Sequence, residues 1–216
     1  MIFRDRLEAG RKLARQLAQR GYIRPVVLAL PRGGVPVAAE VARALGAPLD
    51  LVLVRKISHP LHPELALGAI VDGNEPELVI NPQFHEIATA NPAYLTSARA
   101  EALAEIERRR RIYLAGRMPS DVAGATAIVV DDGIATGATV RAALKALRRR
   151  KAGRIVLAVP VAPADTLEEL SAEVDEVVCL HAPERFASVG QFYGDFRQVD
   201  DEEVIRLLGS QGAATS

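Results

Sequence analysis

The sequence of 216 residues predicts one α/β domain built on a parallel β-sheet with helices on both faces. Three observations lead to this fold class. Aliphatic runs without polar alternation, such as residues 25–30 and 125–130, are typical of strands buried on both faces. Segments with helical periodicity separate these runs, so strands and helices alternate along the chain. The length allows one such domain with its own core and leaves little room for a second.

The first half of the chain begins with a helix over residues 5–19, where leucines and alanines recur at helical spacing and Gly21 ends the run. Predicted strands and helices then alternate: strand 25–30, helix 36–45 and strand 49–54. Arg55 and Lys56 close that second strand. Residues 57–63 contain two prolines and two histidines without periodicity, which indicates an exposed loop.

The second half continues the alternation. A hairpin is expected around Asp72, followed by a helix that Thr96 caps. The predicted elements are hairpin strands 66–71 and 77–80, helix 96–115, strand 125–130, helix 138–150, strand 155–161, helix 167–173 and strand 176–180. Within a single domain of residues 1–208, we expect a core over about 22–180, a flexible insertion over about 57–124, and a C-terminal hood over about 181–208. The small, polar residues 209–216 are expected to fray.

Composition excludes several classes of function. Lysine plus arginine and aspartate plus glutamate both total 27, so the net charge is zero. The chain therefore lacks a long-range positive potential that would attract nucleic acid. The single cysteine, Cys179, excludes an internal disulfide and a thiolate metal site. No apolar stretch has the length of a signal peptide or of a membrane span. We therefore expect a cytoplasmic protein without nucleic-acid or membrane partners.

Residues 128–140 carry the most informative pattern, IVVDDGIATGATV. An aliphatic strand leads into Asp131 and Asp132, then a loop with two glycines and two threonines, then a helix. Free amides at a helix start favour a phosphate, whereas the two carboxylates suit a diol or hydrated Mg²⁺. In the alternative interpretation, the two acids only cap the helix. The length of the pattern favours the ligand site. Two other phosphate-binding motifs are absent from the sequence: Gly-x-x-x-x-Gly-Lys-Ser/Thr, and Gly-x-Gly-x-x-Gly after the first strand.

The segment resembles the motif of type I phosphoribosyltransferases that binds 5-phosphoribosyl-1-pyrophosphate (PRPP), and the resemblance spans about residues 25–200. It implies that Asp131 and Asp132 hold the ribose 2- and 3-hydroxyls, directly or through water on Mg²⁺. The loop after them would hold the 5-phosphate with Gly133, Ile134, Ala135, Thr136, Gly137, Ala138 and Thr139.

Other segments resemble further parts of the family's site. The turn of Pro31, Arg32, Gly33 and Gly34 is similar to the pyrophosphate loop, which often contains a cis peptide; here that bond would be Pro31–Arg32. The resemblance also implies that Arg55 and Lys56 neutralise the departing pyrophosphate. The stretch after them is similar to a catalytic loop that closes over the site, with His59, His62 and Glu64 as its titratable residues.

The aromatic stretch 183–197 resembles the hood of purine phosphoribosyltransferases. This resemblance implies that Phe186 stacks on a base and that Asp195 is an acid near it. Family members that act on hypoxanthine or guanine usually have an acid at the position of Ala135. They also have a lysine in the strand before the hood, whereas residues 155–161 contain no lysine. Both departures argue against those two bases, and the resemblance assigns the proton transfer to Glu64 instead.

The resemblance implies an Mg²⁺-dependent enzyme that transfers the phosphoribosyl group of PRPP to a base and releases pyrophosphate. Homodimers are common in the family. A PRPP sensor without turnover is the first alternative, because it would keep the same ligand motif. A phosphate-sugar hydrolase or binding module is a further alternative, which would share only the phosphate loop.

Overall fold

The structure of the chain is a computed structural model that describes residues 2–62, 65–73, 76–114 and 117–212. Its main sheet has five parallel strands in the order β2-β1-β6-β7-β8. These strands are β1 (Pro25–Ala29), β2 (Leu49–Leu51), β6 (Thr126–Val130), β7 (Arg154–Val161) and β8 (Glu176–His181). Helices cover both faces of the sheet, so the predicted doubly wound α/β fold is confirmed.

The two faces of the sheet bury separate aliphatic cores. Along β1, Val27 and Ala29 point into one core, whereas Val26 and Leu28 point into the other. This alternation explains why β1 contains only apolar residues. The first core is covered by α1 (Arg6–Ala18), α2 (Gly34–Leu45), α4 (Pro92–Leu114) and α7 (Asp201–Gly212), and the second by α5 (Ala138–Arg149) and α6 (Ala164–Ser171).

A second, antiparallel sheet contains β3 (Val54–Ser58), β4 (Ala66–Val71) and β5 (Glu77–Ile80). The β4–β5 pairing confirms the predicted hairpin. The prediction of one strand over residues 49–54 is wrong, because the chain changes sheets at this point. The amide of Val52 donates a hydrogen bond of 3.0 Å to the carbonyl oxygen of Ala29, and Val54 then pairs with Val71 of β4.

Several predicted boundaries also change. Helix α4 begins at Pro92, which suits a first helical position, so Thr96 is not the cap. The Thr96 hydroxyl instead donates a hydrogen bond of 2.8 Å to the carbonyl oxygen of Pro92. Helix α7 extends to Gly212, so residues 209–212 are helical and do not fray. The short helix α3 (His85–Ala90) was not predicted. No helix in the described parts of the chain is long and apolar enough to span a membrane.

Candidate functional site

The two glycine-containing loops that the sequence places 100 residues apart lie side by side at the carboxyl edge of the main sheet. Strands β1 and β6 are neighbours, and the amide of Leu30 donates a hydrogen bond of 2.9 Å to the carbonyl oxygen of Val130. A Cβ on Gly33 would lie 2.6 Å from Cγ of Asp132, and one on Gly34 would lie 2.7 Å from the Val130 oxygen. Only glycine permits this approach. The peptide bond Pro31–Arg32 is cis, as expected.

The loop over residues 133–139 presents unused backbone donors at the start of α5. The amide of Ile134 donates to the carbonyl oxygen of Val161 at 2.9 Å, whereas the amides of residues 135–139 donate to no residue that the structure describes. Gly137 has a φ of 72°, a conformation that glycine adopts readily and that turns the loop into the helix. Such amides, together with the helix dipole, can bind an anion.

Helix α6 supports this loop from behind. The hydroxyl of Thr166 donates a hydrogen bond of 3.1 Å to the carbonyl oxygen of Ala135. The side chains of Thr166 and Leu170 lie against Gly137, where an added Cβ would come within 3.3 Å of each. Thr136 and Thr139 are exposed, so their hydroxyls can add donors on the open side of the loop.

Asp131 and Asp132 lie where this loop leaves β6. Burial and the neighbouring Asp132 carboxylate hold the pKa of Asp131 well above its usual range. Burial also raises the pKa of Asp132, while the charge of Arg6 opposes that rise. Because the charged forms of these two adjacent carboxylates are disfavoured, a bound cation or hydroxyl donors would stabilise the pair. No group of three or more His, Cys, Asp or Glu side chains within the described ranges could hold a metal. A cation at this pair would therefore complete its shell with water or ligand oxygens, which fits Mg²⁺.

Arg6 is a site residue that the sequence prediction missed. Its Nε donates a hydrogen bond of 2.7 Å to Oδ2 of Asp132, and its Nη1 donates one of 2.8 Å to the carbonyl oxygen of Arg197. The guanidinium lies 3.9 Å from the ring centroid of Phe196. The sequence offered one weak signal, since an arginine in the first turn of a helix opposes the helix dipole.

Arg32, in the predicted pyrophosphate loop, contacts helix α7. Its Nη1 lies 3.3 Å from Oδ1 of Asp201, which also accepts a hydrogen bond of 2.6 Å from the Tyr113 hydroxyl. Burial and the hydrogen bond to Asp201 raise the pKa of Tyr113 to about 12. The Arg32 side chain is one-third exposed, so it can still reach a ligand at the loop.

Arg55 and Lys56 do not close a strand of the main sheet, which corrects the sequence prediction. They are exposed residues of β3, paired with Ile70 and Ala69 of the second sheet. Their predicted position failed because the chain leaves the main sheet after Leu51. Strand β3 begins three residues after β2 ends, and the role of this pair at a departing pyrophosphate stays a prediction.

The loop after β3 contains one histidine with a structural role. His59 is buried, and its Nδ1 accepts hydrogen bonds from the amides of Leu61, at 3.1 Å, and His62, at 3.2 Å. Its ring packs at 5.4 Å from that of Phe84. The predicted Glu64 lies outside the described residues.

The hood covers the acids, but its two predicted base-binding residues have different neighbours. The ring of Phe186 stacks on that of Phe192 with centroids 5.6 Å apart. Asp195 is exposed, accepts a hydrogen bond of 3.1 Å from the amide of Arg197, and lines a cavity of about 90 Å³ together with Arg6. The roles of Phe186 and Asp195 at a base stay predictions.

Two hood contacts fix the motif itself. The hydroxyl of Tyr193 donates a hydrogen bond of 2.5 Å to the carbonyl oxygen of Asp132. A Cβ on Gly133 would lie 2.5 Å from the Val189 side chain, so the hood packs directly on the loop. A cavity of about 650 Å³ lies near Asp72 and Arg149, and its lining includes no residue of either loop.

Comparisons with known proteins agree with this geometry. The family model described as "Phosphoribosyl transferase domain" matches residues 2–197. Two Mycobacterium tuberculosis proteins, from strains CDC 1551 and H37Rv and provisionally named phosphoribosyl transferases, are each 45% identical over 207 residues. The matches cover 96% of this chain and 46% of each relative, so the chain spans about half the length of the curated relatives it matches. The crystal structure of TT1426 from Thermus thermophilus is 45% identical, with a TM-score of 0.82, and the match covers 98% of this chain and 99% of that one.

Proposed function

The chain belongs to the phosphoribosyl transferase family, and from this premise we propose that it transfers the 5-phosphoribosyl group of PRPP to a ring nitrogen of a base. One observation carries the proposal. The unpartnered amides of residues 135–139 lie beside Asp131 and Asp132, and the glycines of the other loop touch the same two acids. Three features at one edge of the sheet match the parts of PRPP: a phosphate-binding loop for the 5-phosphate, two acids for the ribose diol and a second anion-binding loop for the pyrophosphate.

Each part of the ligand has a candidate partner of suitable chemistry. The loop over residues 133–139 would hold the 5-phosphate through its backbone amides and the hydroxyls of Thr136 and Thr139. Asp131 and Asp132 would accept hydrogen bonds from the ribose hydroxyls. The backbone of residues 31–34, with Arg32, would face the pyrophosphate, because its glycines allow close approach of an anion.

The two carboxylates would also bind Mg²⁺, mostly through water. When bound, Mg²⁺ would supply positive charge that stabilises the leaving pyrophosphate. The repulsion between the negative charges of Asp131 and Asp132 supports this assignment, because a bound cation would reduce that repulsion.

In the proposed reaction, the bond between ribose C1 and the pyrophosphate oxygen breaks, and a bond between C1 and the base nitrogen forms. Pyrophosphate leaves with the electron pair of the broken bond, and the nitrogen loses its proton. Positive charge develops at C1, so the site must orient both reactants and exclude water. The hood and the loop after Ser58 would provide that exclusion. Glu64 remains the candidate acceptor of the proton.

The base would lie against the hood, with Phe186 as the stacking residue and Asp195 as an acid near it. Strand β7 contains no lysine, and Ala135 has no side-chain acid. Both facts argue against a 6-oxopurine as the acceptor.

A PRPP sensor without turnover is the second candidate, and one observation favours it. Arg55 and Lys56, the cations assigned to the departing pyrophosphate, are exposed residues of the second sheet. A protein that binds PRPP without releasing pyrophosphate does not need these cations to be held in a fixed position.

The two candidates are separated by incubating the chain with Mg²⁺, PRPP and a panel of purine and pyrimidine bases while pyrophosphate release is followed. Release that depends on one base supports the transferase. Saturable PRPP binding, measured by calorimetry, without release for any base supports the sensor. A chain that neither binds PRPP nor releases pyrophosphate would contradict both.

A further inference from the structure

We infer that Arg6, in the first turn of α1, is a positioning residue of the proposed diol site that holds the Asp132 carboxylate in its working orientation. The inference rests on the proposed function, because its readout is affinity for PRPP. It goes beyond the motifs of the two loops, since Arg6 lies about 125 residues before the acids in sequence. It makes the start of the chain part of the ligand site.

Three contacts fix the guanidinium of Arg6. It donates to Oδ2 of Asp132 at 2.7 Å and to the carbonyl oxygen of Arg197 at 2.8 Å, and it lies over the ring of Phe196 at 3.9 Å. Only 11% of the Arg6 side chain and 12% of the Asp132 side chain are exposed. A planar guanidinium that is held on three sides keeps its partner in one orientation, unlike the mobile ion pairs of a surface.

The hood sets the position of Arg6 through the segment before it. The amide of Phe3 donates a hydrogen bond of 3.0 Å to the carbonyl oxygen of Phe192, and the amide of Gly194 donates one of 2.9 Å back to Phe3. The amide of Asp195 donates to the carbonyl oxygen of Arg4 at 2.8 Å. The first residues therefore form a short ribbon with the hood, and α1 starts directly after it.

The Asp132 carboxylate is confined on two sides as a result. Arg6 binds Oδ2 of Asp132, and the same oxygen is the atom nearest to a Cβ built on Gly33, so any side chain at Gly33 would collide with it. Arg6 thus keeps Asp132 at the junction of the two loops, where a ligand that spans them must pass. Within the described residues, Arg6 is the only basic side chain that forms an ion pair with this carboxylate.

Calorimetric titration of PRPP in the presence of Mg²⁺ tests the inference, with the whole chain and two matched variants. Arg6→Gln removes the guanidinium from Asp132. Arg11→Gln removes an arginine from the same helix, where it pairs with Glu40 at 3.2 Å and is half exposed. We expect Arg6→Gln to weaken PRPP binding at least about tenfold, and Arg11→Gln to stay within about twofold of the wild type.

A double-mutant cycle with Asp132→Asn separates positioning from a general structural role. If Arg6 acts through Asp132, adding Arg6→Gln to Asp132→Asn changes the affinity by less than about twofold. Additive losses, wild-type affinity in Arg6→Gln, or tighter binding in that variant would each overturn the inference. If Arg6→Gln does not fold, Arg6→Lys replaces it in the same cycle. Arg6→Lys keeps the positive charge but lacks the planar guanidinium with its several donors. We therefore expect a smaller loss of PRPP affinity, which again is not additive with the loss caused by Asp132→Asn.

The failure of this inference differs from the failure of the proposed function. If the wild-type chain does not bind PRPP, the proposed function is wrong and the inference falls with it. If the wild type binds PRPP and Arg6→Gln binds it equally well, only the role of Arg6 is wrong.

Discussion

Two regions of the molecule carry residues that the sequence assigns to one site, and they differ in what holds those residues in place. At the carboxyl edge of the main sheet, Gly33 touches Asp132, and Gly34 touches the backbone of Asp131. In the second sheet, Arg55 and Lys56 are exposed on β3. Close packing therefore determines residue identity in the first region, whereas the exposed positions of the second region are compatible with many residue types.

The largest expected effect comes from neutralising both acids of the first region. Asp131→Asn with Asp132→Asn should weaken PRPP binding at least about 100-fold, or roughly 2.7 kcal/mol, because neither a diol nor Mg²⁺ retains its charged partner. Calorimetry in the presence of Mg²⁺ measures the loss. The matched control, Glu101→Gln with Glu107→Gln, removes two exposed carboxylates from α4 and should leave the affinity unchanged. Wild-type affinity in the double asparagine variant would remove these acids from the site.

The contact between the two loops predicts the next effect. Gly33→Ala should lower the free energy of unfolding by about 1–3 kcal/mol, because the new methyl group collides with the Asp132 carboxylate. Gly209→Ala is the control, since no atom lies within 4 Å of a Cβ at that helical position. The control should raise stability by up to about 1 kcal/mol. Chemical denaturation measures both variants, and equal stabilities would show that the loops do not pack as described.

A smaller effect is expected in the second region. Arg55→Gln with Lys56→Gln should reduce pyrophosphate release about tenfold if these cations stabilise the leaving group. Their exposure predicts a change of less than about 1 kcal/mol in the free energy of unfolding. Turnover equal to that of the wild type would exclude the pair from catalysis and leave Arg32 as the candidate cation.

The smallest predicted effect is a gain in stability. The pKa of Asp131 is raised by burial and by Asp132, so the folded chain binds its proton more tightly than the unfolded chain does. Stability is then lost as the pH rises above the unfolded pKa and through the folded pKa. At neutral pH, Asp131→Asn should raise the free energy of unfolding of the unliganded chain, because it removes a carboxylate whose charged form is disfavoured by burial and by Asp132. A loss of stability in denaturant titrations at neutral pH would contradict this sign.

Apart from the end of β2, local sequence patterns predicted the strands of the main sheet and the two turns at its edge, because those features depend on short segments. The aliphatic run of β6 and the acids after it define one strand and one turn, whatever surrounds them. Features set by distant packing were not predictable in this way. The chain changes sheets after Leu51 because β4 offers a pairing partner, and no residue near Leu51 signals that change.

The same limit explains the residues that were missed. Arg6 and Asp201 occupy ordinary positions at the first turns of two helices, and only the fold brings them to the loops. Thr96 resembled a helix cap, yet the helix that contains it starts four residues earlier. Contacts between segments that are far apart in sequence determine the first two outcomes, whereas the local signal of Pro92 determines the third.

The central claim is that the amides of residues 135–139 hold the 5-phosphate beside the two acids. The most direct test is an amide NMR titration of the isotope-labelled chain with ribose 5-phosphate, which carries this phosphate and the diol without pyrophosphate. We predict that the largest shifts fall on residues 135–139, with smaller ones at Asp131 and Asp132. Saturable shifts confined to other parts of the chain, with these amides unchanged, would contradict the claim.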